Sequence, residues 1–210
     1  GGMDVKAAAI TIAVSGGGSG PHGAHGTGQV PGYLAKFDAR TNRLVAQVLV
    51  DRSPGDVILS RDGRLAFVSH YDLLRFLSRD PAKPETGYSK IAIVDTATMQ
   101  LRSLTAVCPT AHGMGLDAAE RLLYITCSLS DELAVLDISD PAAPRLQGRV
   151  PMVTGQAAEQ PATAQPYALA IHPTDGSVWV SNNLSYDVRV FEPAALAAGA
   201  RGPQRVVRLG

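Results

Sequence analysis

The stretch TAHGMGLDAAERLLYITCSLSDELAVLD, residues 110–137, reads without a gap as three strands of one antiparallel unit. TAHGMGL and LLYITC are joined by a turn at Asp117 to Arg121, and a short polar loop leads into ELAVLD. The same register recurs on both sides. SPGDVILSRDGRLAFVSH (53–70) and QPYALAIHPTDGSVWVSN (165–182) align with TAHGMGLDAAERLLYITC (110–127), so that Leu59, Leu116 and Ile171 are equivalent, and so are Val68, Ile125 and Val180. Each copy is followed by a third strand ending in an acid: KIAIVD at Asp95, ELAVLD at Asp137 and DVRVFE at Glu192. A fourth, partial copy lies upstream, where ITIAVSG (10–16) matches a second strand and YLAKFD (33–38) a third, and RLVAQVLVD (43–51) reads as an outer strand. The acids Asp38, Asp95, Asp137 and Glu192 recur at separations of 57, 42 and 55 residues. Periods of that size belong to blades, solenoids or arrays.

IAIVD, LAVLD and LLYIT are apolar on both parities, as strands buried on both faces are. Asp62-Gly63 and Asp175-Gly176 are hairpin turn signals. Four-stranded antiparallel sheets, each packed between neighbours, make a β-propeller. A β-sandwich is the alternative, but it leaves the repeat unexplained. The expected fold is an all-β propeller with blades at 8–51, 53–107, 110–154 and 165–210, the first lacking its first strand.

With 210 residues, 45% of them hydrophobic, and no net charge, the chain has ample material for a core. The balanced charge argues against a nucleic-acid partner, which a basic footprint would announce. No run has the length of a membrane span. Residues 3–16, MDVKAAAITIAVSG, combine a charged start with a short apolar run, as a signal peptide does. Asp4 offsets Lys6, no A-x-A site follows, and ITIAVSG keeps the repeat register, so the strand reading is preferred. Gly18, Gly20 and Gly23 have dinucleotide-fingerprint spacing, but Pro21 interrupts them and a strand follows where the pyrophosphate needs a helix N-terminus.

SRDGRLAFVSH, DAAERLLYITC and PTDGSVWVSNN, followed by IAIVDTAT, LAVLDIS and VRVFEP, closely resemble the YVTN-type β-propeller repeat. The resemblance implies rings of commonly about seven blades, frequent export to the periplasm or beyond, and relatives that include lactonases, surface-layer proteins and accessory proteins of redox systems. Four blades fit three assemblies: a piece of a larger ring, a tight four-bladed ring, or half of a two-chain ring. The piece is preferred, and in a complete protein the open blade edges would invite self-association.

Two connections between second and third strands are long, 16–32 and 71–88, and two are tight. Insertions at one topological position lie on one face of an array, often the binding face. In the 71–88 loop, Leu73, Leu74, Phe76 and Leu77 fit one helical turn stopped by Pro81. The loop is expected to project, so that removal of 73–86 spares the fold. The hairpin register sets Gly55 opposite His70, His112 opposite Cys127 and Tyr167 opposite Asn182, at the end that carries His22 and His25. The candidate ligand rim is therefore His22, His25, His70, Tyr71, Arg75, His112, Tyr167 and Asn182.

Imidazoles suit zinc or copper, which makes His22, His25, His70 and His112 candidate ligands, although no set of three or four is marked by spacing. The alternative is solvated loop histidines and hydrogen-bonded strand ends. No cofactor is required by the sequence. His172, before Pro173, falls at the opposite end and reads as structural, and Trp179 reads as packing. No Gly-x-Ser-x-Gly elbow occurs, and the recurring acids suit turn amides better than acid catalysis. Cys108 and Cys127 are either two reduced residues or, in the oxidising compartment that the resemblance implies, a disulfide. Three functions remain: an extracytoplasmic module binding a protein or small molecule at the rim, a lactone-type hydrolase, and a metal- or cofactor-associated redox protein.

Overall fold

The computed structural model describes the backbone of residues 3–6 and 9–14, and the chain in full over 31–154 and 163–208. Four four-stranded antiparallel sheets follow one another, each with its strands in chain order. The first contains β1 (Met3–Lys6), β2 (Ala9–Val14), β3 (Pro31–Asp38) and β4 (Leu44–Arg52), and the second contains β5 (Pro54–Leu59), β6 (Leu65–His70), β7 (Ser89–Asp95) and β8 (Gln100–Cys108). The third has β9 (Ala111–Leu116), β10 (Leu122–Cys127), β11 (Glu132–Asp137) and β12 (Arg145–Pro151), and the fourth β13 (Pro166–Ile171), β14 (Val178–Asn182), β15 (Asp187–Phe191) and β16 (Arg205–Arg208). The first sheet is complete, contrary to the expectation of a missing strand. Met3 to Lys6 pair with Ile12 to Ala9. Met3-Asp4-Val5-Lys6 does alternate apolar and charged residues, but over four residues only, too short a run to announce a strand.

The chain divides into two compact units, residues 1–111 with 141–143 and residues 112–140 with 144–210. In the first, Leu34 and Val50 join Val57, Leu59, Ala66, Val68, Ala92 and Val94 in one buried cluster. In the second, Leu133, Val135, Val150, Val178, Val180 and Phe191 form another. The inner strands of each sheet carry this burial. Every residue of β11 except Asp137 is buried, whereas β12 is mostly exposed. Of the three equivalent residues that end the first strands, Leu59 is buried while Leu116 and Ile171 are half-buried.

The repeat is also visible in the backbone. Ser53, Thr110 and Gln165, equivalent positions just before each first strand, have φ of 52°, 49° and 54°. A non-glycine residue there costs of order 1 kcal/mol. A hydrogen bond offsets the cost: the Ser53 carbonyl accepts from the Tyr71 amide at 2.8 Å and the Gln165 carbonyl from the Asn183 amide at 3.0 Å. The strand that follows then bulges. His70 pairs with Pro54, not Gly55, and Asn182 with Pro166, not Tyr167, because the register slips by one residue in each hairpin. A bulge leaves an amide unpaired, and a hydroxyl on the second strand receives it. Asp56 N donates to Ser69 Oγ at 3.0 Å and Gly113 N to Thr126 Oγ1 at 2.8 Å.

The expected turn chemistry is present. Gly63 and Gly176 take φ of 71° and 73°. Asp38 and Asp95 each accept two amides of the following turn, and Asp137 accepts that of Ser139. These bonds hold the three carboxyls below the usual range, led at Asp95 by its pair with Arg102. Glu192 departs, since its side chain makes no capping bond to the short helix α2 (Pro193–Ala197) that it precedes.

Candidate functional site

The described rim residues fall into two groups, one in each unit. In the first, the 71–88 connection forms a short helix, α1 (Leu73–Leu77), and a 3-10 turn at Pro84–Gly87. Asp72 caps α1, accepting the Arg75 amide at 2.9 Å, and is 1% exposed. A charge so buried must be paired. Its Oδ2 accepts from Arg75 Nε at 3.0 Å and from Arg52 Nε at 3.1 Å. Arg75 Nη2 also grips both oxygens of Asp51, at 2.9 and 2.8 Å, and Lys90 Nζ lies 3.3 Å from the same carboxylate. Burial alone would raise Asp51, yet the Arg52 amide and the charges of Arg75 and Lys90 hold it low.

His70, also 1% exposed, sits beneath this cluster. Its Nδ1 donates to the Lys90 carbonyl at 2.6 Å, so the ring is the Nδ1–H tautomer and Nε2 accepts the Asp51 amide at 3.1 Å. Burial pushes its pKa down to about 4, against the opposing pull of the Lys90 carbonyl and Asp51. Both ring nitrogens are engaged, and a metal would have to displace one of these bonds. Arg75 is an anchor for its own loop. Tyr71 is half-buried and joins the loop to Ser53 through its amide.

In the second unit, His112 stacks on Tyr167 with ring centroids 3.8 Å apart and planes 26° from parallel. The contact depends on the close approach of β13 to β9 and β10. A Cβ on Gly113 would lie 2.6 Å from the Tyr167 carbonyl oxygen, and one on Gly115 would lie 2.5 Å from Leu169 Cδ1. Thr126 and Ser128 donate their hydroxyls to the carbonyls of Tyr167 and Pro166, at 2.9 and 2.6 Å. Asn182 is buried and donates to Asp187 Oδ1 at 2.8 Å. Asp187 also pairs with Arg189 at 3.0 Å, and these donors keep it ionised against the raising effect of burial. Asp131, fully buried at φ 50°, receives the amides of Thr163, Ala164 and Gln165. No pattern marked Asp131 in the sequence, because its partners lie some thirty residues downstream.

His22 and His25, with most of the 16–32 loop, lie outside the described residues. Among the described residues no group of three or more His, Cys, Asp or Glu is placed to hold a metal ion. His172 pairs with Asp175 at 3.0 Å, and Trp179 donates Nε1 to Ser177 Oγ at 2.9 Å beneath the Arg205 guanidinium. Cys108 and Cys127 are disulfide-bonded.

The second unit also holds a cavity of about 690 Å³, within the range of small-molecule sites. It opens at the opposite end of the third sheet from the 128–131 turn, beside the Asp117 and Asp137 turns. Tyr124, Val135 and Val150 form its floor, and Pro193 and Leu196 of α2 form a wall. None of these was among the candidate rim residues.

Neither a family model nor a curated protein sequence matches the chain. Solved structures do. A functionally unknown protein from Desulfotomaculum acetoxidans superposes with a TM-score of 0.69 at 11% identity, covering 100% of this chain and 56% of its own. The β-propeller domain of Swd1 from Myceliophteria thermophila superposes at 0.63 and 12% identity, covering 85% and 50%. The fold is a β-propeller. A proposed 6-phosphogluconolactonase from Bacteroides uniformis gives 0.64 at 14% identity, covering 97% and 54%. The chain thus spans about half the length of the solved structures it matches. At these identities the likeness is one of fold. No helix among the described residues is long and apolar enough to cross a membrane.

Proposed function

We propose that this chain is a segment of a YVTN-type propeller that acts as an extracytoplasmic binding module, with the 71–88 insertion as its contact element for a protein partner. The observation that carries this reading is the construction of that insertion. Its root is locked by Asp72 and Arg75, while its tip presents Leu77, 64% exposed, beside Arg79 stacked 4.0 Å over the Phe76 ring. Arg79 also packs on Gly87, where any Cβ would strike it at 2.8 Å. A preorganised tip bearing an apolar and a cationic side chain loses little entropy on binding. Interface hot spots favour such rigid anchors with arginine beside them. The disulfide supports the compartment, since such bonds persist where the surroundings oxidise.

The hydrolase reading draws on the likeness to the Bacteroides uniformis protein, but Arg75 and both nitrogens of His70 are committed to the anchor. A lactone panel tests it, and metal analysis of the purified protein tests the redox reading. For the binding reading, a photo-crosslinker at exposed position 82 of the same loop should trap one partner in the natural host, and Leu77→Glu with Arg79→Glu, added to that crosslinker-bearing chain, should abolish the adduct at unchanged thermal midpoint. Equal trapping with and without the double substitution removes the insertion from the interface.

A further inference from the structure

The cavity of the second unit is a site that the rim reading does not use. Its floor residue Tyr124 is only 2% exposed, and its hydroxyl, which has no hydrogen-bond partner among the described residues, is not a sealed buried atom and faces the open space of the cavity. A hydroxyl that faces a cavity with no protein partner is a donor left for a molecule bound there. Tyr124 occupies the repeat position held by Phe67 and Trp179, so packing alone does not demand a hydroxyl there.

The polar groups around the opening determine what would fit. Asp117 spends its carboxylate on the amides of Ala119, Arg121 and Leu122, at 3.3, 2.7 and 2.7 Å. Asp137 spends its own on Ser139 and on the Gln147 side chain. Both acids are thus occupied by their own turns. The Arg121 guanidinium is different: it is exposed, lines the same cavity and has no ion pair or hydrogen bond among the described residues. The unused groups, Arg121 and the Tyr124 hydroxyl, are donors, and the hydroxyl keeps its proton because burial and then Asp117 push its pKa up. Donors without acceptors ask the ligand to bring acceptors, and a cation at the mouth favours an anion. The rest of the wall, with Val135, Val150 and Leu196, is apolar and offers no open aromatic face for a sugar to stack on.

We propose that this cavity binds a small organic acid with an apolar body, its carboxylate at Arg121 and Tyr124 and its body against Val150 and Leu196.

The test uses the full chain with 4-phenylbutyrate and its neutral amide, followed by calorimetry and saturation-transfer NMR. The acid should bind at millimolar or lower concentration and the amide about tenfold more weakly. Arg121→Gln should weaken the acid about tenfold and leave the amide unchanged, and Tyr124→Phe should weaken the acid by about three- to tenfold. Ala197→Trp, at an exposed lining residue, should fill the cavity and abolish binding while the thermal midpoint holds. Failure of wild type to bind the acid, equal binding of acid and amide, or undiminished binding to Ala197→Trp would each overturn the proposal.

Discussion

Between β6 and β7 the chain spends residues 71–88 on a helical turn, a 3-10 turn and a buried cluster of ionised side chains, whereas between β10 and β11 it turns within 128–131. The strands on either side are copies of one repeat. The two connections are secured by different chemistry. Asp72 is neutralised by Arg52 and Arg75, long side chains from two places in the sequence, while Asp131 is satisfied by main-chain amides and the Thr163 hydroxyl. The repeat dictates where a connection starts and ends, and each connection must then balance its own buried charge. Removal of residues 73–86 would delete Arg75 and strip Asp51 and Asp72 of their shared cation. The 71–88 loop is therefore tied into its sheet, and the deletion should lower the thermal midpoint, whereas an unchanged midpoint would show that Arg52 and Lys90 alone suffice for Asp72 and Asp51.

The contrast can be broken at either acid. Asp72→Ala leaves two guanidiniums without their buried partner and removes the α1 cap, and should cost about 3–5 kcal/mol in chemical denaturation. Asp131→Ala leaves buried amides without an acceptor and should cost about 3 kcal/mol. Salt separates the two. If electrostatics secures the first connection, 1 M chloride should change the Asp72→Ala penalty more than the Asp131→Ala penalty, and equal changes would erase the distinction.

The last residue of the second strand sharpens the comparison, because the repeat puts His70, Cys127 and Asn182 at that one position. His70 and Asn182 each bond across to the third strand of their sheet, while Cys127 is disulfide-bonded. Thiol titration of the unreduced, denatured protein should find no free thiol. By chain-entropy arithmetic, reduction of a loop of about 20 residues should lower stability by about 3 kcal/mol. His70 confers a pH dependence. Its folded pKa of about 4 lies below the unfolded 6.5, so the unfolded chain takes up the proton first. Stability is full above pH 6.5, falls as pH drops below it, and has lost about 3 kcal/mol by pH 4. His70→Gln should flatten that slope between pH 6.5 and 4, and an unchanged slope would assign it to the carboxylates.

Much of the fold was legible because a propeller repeats its physics as well as its letters. Alternation-free strands, Asp-Gly turns and strand-end acids each recur for one local reason, and α1 was readable from Leu73, Leu74, Phe76 and Leu77 ahead of Pro81. β1 was not legible, being short and charged. The site was harder for a different reason. His70 and Arg75 are residue types that suit catalysis, and only coordinates reveal that Asp51, Asp72 and the Lys90 carbonyl already occupy them. Bulges shift Gly55 and Tyr167 out of the simple hairpin register, which no residue-by-residue count anticipates. Tyr124 had a faint signal in being the one phenol among Phe67, Tyr124 and Trp179, but its meaning depends on a cavity formed with α2, far along the chain.

That same position gives the smallest effect and the finest test of the comparison. Phe67 is 1% exposed and Tyr124 2%, so the two rings are equally buried in their sheets. Phe67→Tyr would bury a hydroxyl where the native residue needs no partner, a change expected to cost about 1–3 kcal/mol. Tyr124→Phe removes a hydroxyl that bonds to no described residue and leaves the ring in place. Its stability should stay within about 0.5 kcal/mol of wild type, measured by urea denaturation in buffer free of organic acids. If Tyr124→Phe instead costs as much as Phe67→Tyr, the hydroxyl is a structural bond of the third sheet and its presence at the cavity floor has no need of a ligand. If it is neutral while acid binding falls, the two copies of the repeat differ at this ring for a reason that lies outside folding.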